Sequence, residues 1–417
     1  MSLTYLGRAK RASFLLFIMM GHLVLSFVAW VPEFIDRLGV SFITWGVILG
    51  FAPVGAIAAI VIAPRLILRF GSSPIFLWGA LTGAGLIVPL GVITEVVVWT
   101  VIHTIFHFFL SLAGVSLNAH AVSLQGRFNY PILGGLHAGW SMGAVAAALS
   151  GALAVTVITL PTYFALVGIL SGLVTVILSR FLLKPHEDSQ KHNGQESTPR
   201  FSFKIPGRLW LIAFALVCAF FPEVAVLEWS AVLVREEIGA DTVLRSVPFG
   251  AFMAGMIVGR LALARMAESF QPASIAMVGS ASSAITMTAG LAIAFGLVSV
   301  SPSFAVMALS ALWALAGFGL AALGPTAIAE TSKIPGVSGA HALAMISFTA
   351  QVSSIGAKIV MGAIAQEGNV YVAFIVPVIF FAVGAMLASK LRNGLDHTDI
   401  SKVQPPTGPI PIIRPTD

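Results

Sequence analysis

The sequence predicts an all-α polytopic membrane protein: twelve transmembrane helices in two parallel, pseudo-repeated six-helix bundles. Three observations predict it. Of 417 residues, 58% are hydrophobic and only 10% are charged, with a mean hydropathy of +0.96, whereas soluble domains carry about 25% charged residues. The apolar residues gather in twelve runs, each close to the ~20 residues that cross a bilayer. Features of the first six runs recur in the same order in the last six. Such a composition excludes an ordinary cytosolic enzyme and a disordered chain.

The first six runs fall at 13–32, 43–64, 74–93, 96–118, 132–158 and 162–183, and the second six at 209–232, 245–265, 272–297, 302–325, 339–364 and 370–390. Arg8, Lys10 and Arg11 precede the first run, as in a signal peptide. The apolar stretch Ala12 to Val31 is too long for a signal core and no small-residue cleavage site follows it, so it is expected to be retained as the first helix. A polar stretch from Lys184 to about Pro206 separates the halves. The expected domains are a first bundle at 1–183, a cytoplasmic linker at 184–207, a second bundle at 208–391 and a Pro-rich cytoplasmic tail at 392–417.

Nineteen of the 23 Lys and Arg residues fall on the side that holds both termini, and three (Arg37, Arg235, Arg245) on the other. Lys358 lies inside a run. Cytoplasmic loops collect Lys and Arg, so both termini are expected in the cytoplasm of a cell (inner or plasma) membrane. The same bias accounts for the net charge of +6 without a nucleic-acid partner. A single cysteine, Cys218, permits neither an internal disulfide nor a thiolate metal site.

Sliding the second half back by about 200 residues places Gly39 on Gly239, Gly55 on Gly255, Arg65 on Arg265 and Phe70 on Phe270. At nearby offsets, Leu112-Ala113-Gly114 meets Leu315-Ala316-Gly317, and Gly135-x-His137-Ala138 meets Gly339-x-His341-Ala342. Both halves contain an even number of helices, so the repeat is parallel. Parallel repeats place a solute site at their interface near the bilayer midplane. Glycines four apart, Gly79/Gly83 and Gly255/Gly259, allow helices to approach closely.

Polar residues then mark candidate faces. At ~100° per residue, His103, His107, Ser111, Gly114 and Asn118 of the fourth helix share about 80° of arc. A polar stripe in a span faces the bundle interior or a water-filled cavity, so His107 and Asn118 are candidates for solute binding; interhelical packing is the plainer alternative. His103 and His107 have metal-ligand spacing, but nothing nearby completes a site, and neither metal nor cofactor is expected. On the first helix His22, Ser26 and Glu33 share a face. Histidine titrates near physiological pH, so His22 is a candidate for solute binding and for proton coupling. Trp30 could stack on a sugar ring or anchor at the membrane interface.

Glu223 lies mid-membrane on the seventh helix. A carboxyl group there can carry a proton and release it when the cavity opens to water, which makes Glu223 the leading coupling candidate. Glu228 lies about 140° further round the helix, at ~100° per residue, and nearer the far side, which suits an outer gate. On the eleventh helix Ser347, Gln351, Ser354 and Lys358 form a further stripe, with Gln351 and Lys358 as binding candidates. A lysine within a span costs about 2.5–3.5 kcal/mol on insertion scales, so Lys358 needs a partner; Glu223, an anionic solute group or the interface are the alternatives. His137 and His341 begin the fifth and eleventh helices at equivalent places, which suits an inner gate.

At these residues the chain resembles the major facilitator superfamily. The segment Trp30-Val31-Pro32-Glu33-Phe34-Ile35-Asp36-Arg37-Leu38-Gly39-Val40-Ser41, read as the first loop, is similar to the fucose-permease-like, YbjJ-type branch. So are Leu117-Asn118-Ala119-His120-Ala121, Gly135 to Gly143, Glu223 to Val232 and Gly255-Met256-Ile257-Val258-Gly259-Arg260. The resemblance covers nearly all of 10–390 and implies secondary transport by alternating access. It also implies that Arg65, Arg69-Phe70-Gly71, Gly259-Arg260 and Arg265 form a reduced version of the superfamily's loop signature; Arg69, Gly71 and Arg260 are therefore gating candidates. The chain departs from the branch where Gly114, Ser123 and Gln125 replace acids, Ala264 an Asp, Ala322 an Asn and Lys358 a Pro. Its first half thus lacks the branch's membrane carboxylate.

The expected function is proton-coupled movement of a small polar solute, a sugar or related metabolite, by a monomer in the lipid bilayer. Export of a hydrophobic compound or drug, and a non-transporting receptor or scaffold on the same fold, are the alternatives. Without a P-loop or an activated nucleophile, neither an ATP-driven pump nor an enzyme is expected.

Overall fold

The computed structural model describes residues 3–130, 132–188, 207–331 and 339–393. Most of the expected linker, the loop bearing Lys333, the tail from 394 and the side chain of His341 lie outside the described residues. The described chain is helical and contains twelve helices long and apolar enough to cross a membrane. They are α1 Thr4–Leu38, α2 Phe42–Phe70, α3 Ser72–Leu90, α4 Val96–Gln125, α5 Leu133–Val157 and α6 Leu160–Ser179 in the first half. The second half has α7 Gly207–Ile238, α8 Thr242–Leu263, α9 Pro272–Leu297, α10 Pro302–Glu330, α11 Phe348–Glu367 and α12 Val370–Leu391. The helix bearing α11 starts earlier, at Gly339. The end where α1 begins and α12 finishes is called here the termini end, and the opposite one the distal end.

The segment 30–41 is largely not a loop. A tight 3-10 turn at Val28–Trp30 leads into further helix, Val31–Leu38, with Pro32 in its first turn. Proline is tolerated there because the missing N–H has no helical partner anyway. The helix stops at Gly39, whose φ of 61° is left-handed and whose N–H returns to the carbonyl of Asp36. Gly239 ends α7 in the same way, with φ 68° and a hydrogen bond to the carbonyl of Val234. The offset of 200 read from sequence therefore aligns two equivalent left-handed caps. Side chains stop fraying elsewhere: Ser41 accepts from the N–H of Thr44, and Glu95 accepts from the N–H groups of Val97 and Val98, neutralising the positive N-terminus of α4.

Packing repeats as well. In the first half α1 packs on α5, α2 and α3 on α4, and α3 on α6. Adding six to each label gives the pairs of the second half, α7 with α11, α8 and α9 with α10, and α9 with α12. Glycine permits these approaches. A Cβ on Gly55 would stand 2.2 Å from the carbonyl oxygen of Thr104, and one on Gly255 only 1.8 Å from that of Ala314. Between the halves, α2 packs on α11 and α5 on α8, the two crossings that the pseudo-symmetry exchanges.

Candidate functional site

The two halves meet through polar side chains in the distal half of the molecule. Lys358 of α11 is 5% exposed. Its Nζ donates to Glu228 Oε1 at 2.5 Å and to the Leu49 carbonyl of α2 at 3.4 Å. The acid partner of Lys358 is thus Glu228 rather than Glu223. Five residues along α7 separate the two acids, and the rotation and axial shift of α7 against α11 decide between them. The second oxygen of Glu228, Oε2, is buried and has no hydrogen-bond partner among the described residues. A buried ion pair of this kind contributes little net stability, but removing one partner leaves a charge stranded in low dielectric.

Beside this pair α4 presents two histidines. His107 Nε2 lies 3.1 Å from His103 Nε2, and Lys358 acts electrostatically on both rings. His103 is held in place by stacking on Trp99, with ring centroids 4.6 Å apart. The stripe read on α4 therefore has its distal end at the Lys358–Glu228 pair. Its other end behaves differently: Asn118 is exposed and donates from Nδ2 to the Gly114 carbonyl of its own helix. No group of three or more His, Cys, Asp or Glu side chains among the described residues could hold a metal ion.

Glu223 lies one turn and a half closer to the termini end. Arg260 of α8 is exposed, and its charge acts at a distance on Glu223 and on His137 of α5. His137 also sets its ring against the edge of Phe17, with centroids 5.3 Å apart. Gln351 is half-buried, seven residues before Lys358 on the same face of α11.

His22 of α1 is half-buried and shares a hydrogen bond of 3.0 Å with Ser150 Oγ of α5. Ser150 in turn lies 3.3 Å from the Tyr163 hydroxyl of α6. Neither residue was singled out from sequence, because isolated hydroxyls in apolar helices carry no spacing signal. Trp30 is 2% exposed and packs on the Tyr163 ring at 5.2 Å. Its faces are covered in this conformation, so it offers a solute no stacking surface here, contrary to its role as a binding candidate; the turn at Val28–Trp30 directs it into the first bundle. The same turn interrupts the helical period, and Ser26 bonds back to the Leu23 carbonyl while Glu33 points elsewhere.

Glu33 accepts from Arg245 of the second half. Asp36 receives both Nη1 and Nη2 of Arg235, at 2.6 and 2.7 Å. The Phe42 N–H donates to Gln366 Oε1 at 3.0 Å, and Ser246 donates to the Ala148 carbonyl at 3.1 Å. Between these contacts α2 and α11 cross on glycine: a Cβ on Gly46 would lie 2.7 Å from the Lys358 carbonyl, and one on Gly362 2.6 Å from that of Phe42. The distal end is therefore closed by backbone contact and by ion pairs. Near the termini end, Arg69 lies over the Phe70 ring at 5.1 Å. Gly71, with φ 87°, is backed by Pro185, where a side chain would be both strained and crowded.

Comparison with known proteins agrees with this architecture. Residues 132–329 match the family model described as Major Facilitator Superfamily. A relative from Sinorhizobium fredii, described as an uncharacterized transporter, y4wD, is 24% identical over 380 residues, covering 90% of this chain and 96% of that protein. Among solved structures, a variant of the nucleoside transporter NupG superposes with a TM-score of 0.72 at 14% identity, over 93% of this chain and 99% of that one. A D-xylose-proton symporter gives 0.68 at 13% identity, over 93% and 98%. An inward-facing, unoccupied bacterial homolog of the human lysosomal transporter Spinster gives 0.71 at 14%, over 95% and 99%. These relatives are described as transporters, not enzymes, and with twelve described helices long and apolar enough to cross a membrane the chain is a multi-pass membrane protein that shares their fold.

Proposed function

We propose that the protein is a secondary transporter that moves a small polar solute, a sugar or related metabolite, together with protons. Two bundles, 1–183 and 208–391, rock about the polar site between them, joined by the linker at 184–207 and followed by the tail at 392–417. The observation that carries this reading is the closure of one end by side chains of both halves, directly beside buried ionisable groups from α4, α7 and α11. Closure built from exchangeable ion pairs is what alternation of access requires.

The nucleoside transporter and the D-xylose-proton symporter among the structural neighbours support a hydroxylated solute and proton coupling by analogy of fold. The resemblance of the sequence to the fucose-permease-like branch points the same way. The Lys and Arg bias supports cytoplasmic termini in the inner or plasma membrane, so the closed distal end faces outward; the proposed transporting unit is a monomer. His22, His107, Asn118, Gln351 and Lys358 are the proposed lining. Glu223 and Glu228 are the acids available for coupling. Arg69, Gly71, His137, Arg260 and His341 act as gating residues at the cytoplasmic end.

The experiment is counterflow of labelled solutes in proteoliposomes carrying a trapped pH dye. Exchange of a polar solute with a dye response is the expected result. Exchange of hydrophobic dyes alone would make the protein an exporter of apolar compounds. Saturable binding without exchange would make it a receptor or scaffold.

A further inference from the structure

We propose that the solute is a monoanion, a hydroxylated monocarboxylate such as a sugar acid, which takes Lys358 from Glu228 while Glu228 takes up one proton. The inference rests on the transport reading above and names its substrate class and coupling group.

The argument is one of charge. Lys358 is 5% exposed, and an ammonium group so placed must keep an anionic partner. The surroundings supply one. Helix α2 offers a carbonyl, that of Leu49. Helix α4 offers His103 and His107, which share a hydrogen bond and bring no negative charge. The acids of α1 are engaged elsewhere, Glu33 with Arg245 and Asp36 with Arg235. On α7 itself, Glu223 stands five residues from Glu228, and Lys358 bonds Glu228. Glu228 remains, and it is a partner with an opening: Oε1 holds Lys358, while Oε2 is buried without a hydrogen bond among the described residues.

A neutral solute would leave this pair intact in every state and draw no proton to it. A carboxylate solute changes the account. A proton from water adds to Glu228 and makes it a neutral acid. Lys358 loses its counter-ion at that moment, and the solute carboxylate replaces it. Neither event is favourable alone, since one strands the ammonium and the other crowds two carboxylates on it. Together they carry one anion and one proton, with no net charge. On release the proton returns to water and Glu228 reclaims Lys358. The exchange also loosens a contact between the halves, because the same Nζ reaches the Leu49 carbonyl.

The test uses the full-length protein in liposomes with a trapped pH dye, and D-galacturonate, D-gluconate and D-galactose as probes. Under an imposed pH gradient the wild type is expected to accumulate a sugar acid about tenfold per pH unit, as one-to-one coupling requires, unaffected by clamping the voltage. Galactose should give no proton signal. Glu228→Gln is expected to lower accumulation to about unity and to make galacturonate binding independent of pH. Lys358→Gln should abolish binding of the acids. Lys358→Gln with Glu228→Gln, which removes both charges, shows by its thermal unfolding whether the fold is intact. Galactose exchanged equally by wild type and the double variant would overturn the proposal and leave the transport reading standing. Voltage-driven uptake of the acid, or accumulation retained in Glu228→Gln, would overturn it too. No exchange of any polar or hydrophobic probe would overturn both.

Discussion

Asp36 and Arg235, 199 positions apart in the chain, meet through two parallel hydrogen bonds of 2.6 and 2.7 Å. They precede the equivalent glycines, Gly39 and Gly239, that end α1 and α7. The duplicated halves therefore clasp at corresponding places, with opposite charges on corresponding helix ends.

This clasp is exposed, with 62% of the Asp36 side chain accessible. Exposed pairs contribute about 0–1 kcal/mol. Asp36→Asn is therefore expected to shift the open-to-closed ratio at the distal end by up to about fivefold. Spin labels on the α1–α2 and α7–α8 turns would report a larger long-distance population, and an unchanged distribution would show that the clasp does not hold the end shut.

The buried pair behaves differently. Lys358→Met leaves Glu228 charged and unpartnered, with an expected loss of about 3–5 kcal/mol. Lys358→Met combined with Glu228→Gln removes both charges and should recover most of that loss. Thermal unfolding in detergent measures both. Equal destabilisation by the single and double variants would mean that packing, not charge, sets the cost.

Gly255→Val forces a side chain into the Ala314 carbonyl and should cost about 1–3 kcal/mol by overpacking, read as a lowered melting temperature. Gly85→Ala is the control, since no atom lies within 4 Å of its new Cβ. It should be neutral or mildly stabilising.

Topology has a direct check. In a Cys218→Ser background, a cysteine in place of Thr94 should react with an impermeant thiol reagent from outside the cell. One in place of Ser269 should react only after permeabilisation. The reverse pattern would invert the assignment of cytoplasmic termini.

Much of the fold was legible because it follows from quantities that summation makes robust. Twelve apolar runs survive errors of several residues at each boundary, and the repeat appears in glycines fixed by close backbone contact at Gly55 and Gly255 and by left-handed backbone at Gly39 and Gly239. Boundaries were less legible: Pro32, Glu33, Asp36 and Arg37 look like a loop, yet proline fits a first helical turn, Glu33 and Asp36 are met by the other half, and Arg37 donates to the Val92 carbonyl. The site was legible by face but not by partner. Periodicity places Lys358 and Gln351 on one side of α11. It says nothing about which turn of α7 stands opposite, and Glu228 wins over Glu223 by packing alone. Ser150 and Tyr163 were invisible because a hydroxyl signals its role only through its neighbour.

The crossing of Gly46 and Gly362 has a mechanical corollary. Where two helices interlock through side chains, parting them means lifting each knob from its hole and exposing voids on the way. At this crossing backbone lies against backbone, and the surfaces can separate along a plane. What resists separation is then the ring of polar contacts around it, for which water is a ready substitute. The distal end is thus sealed tightly against leakage and yet held by bonds that solvent can exchange one at a time, a hinge line whose tightness and ease of opening come from different atoms.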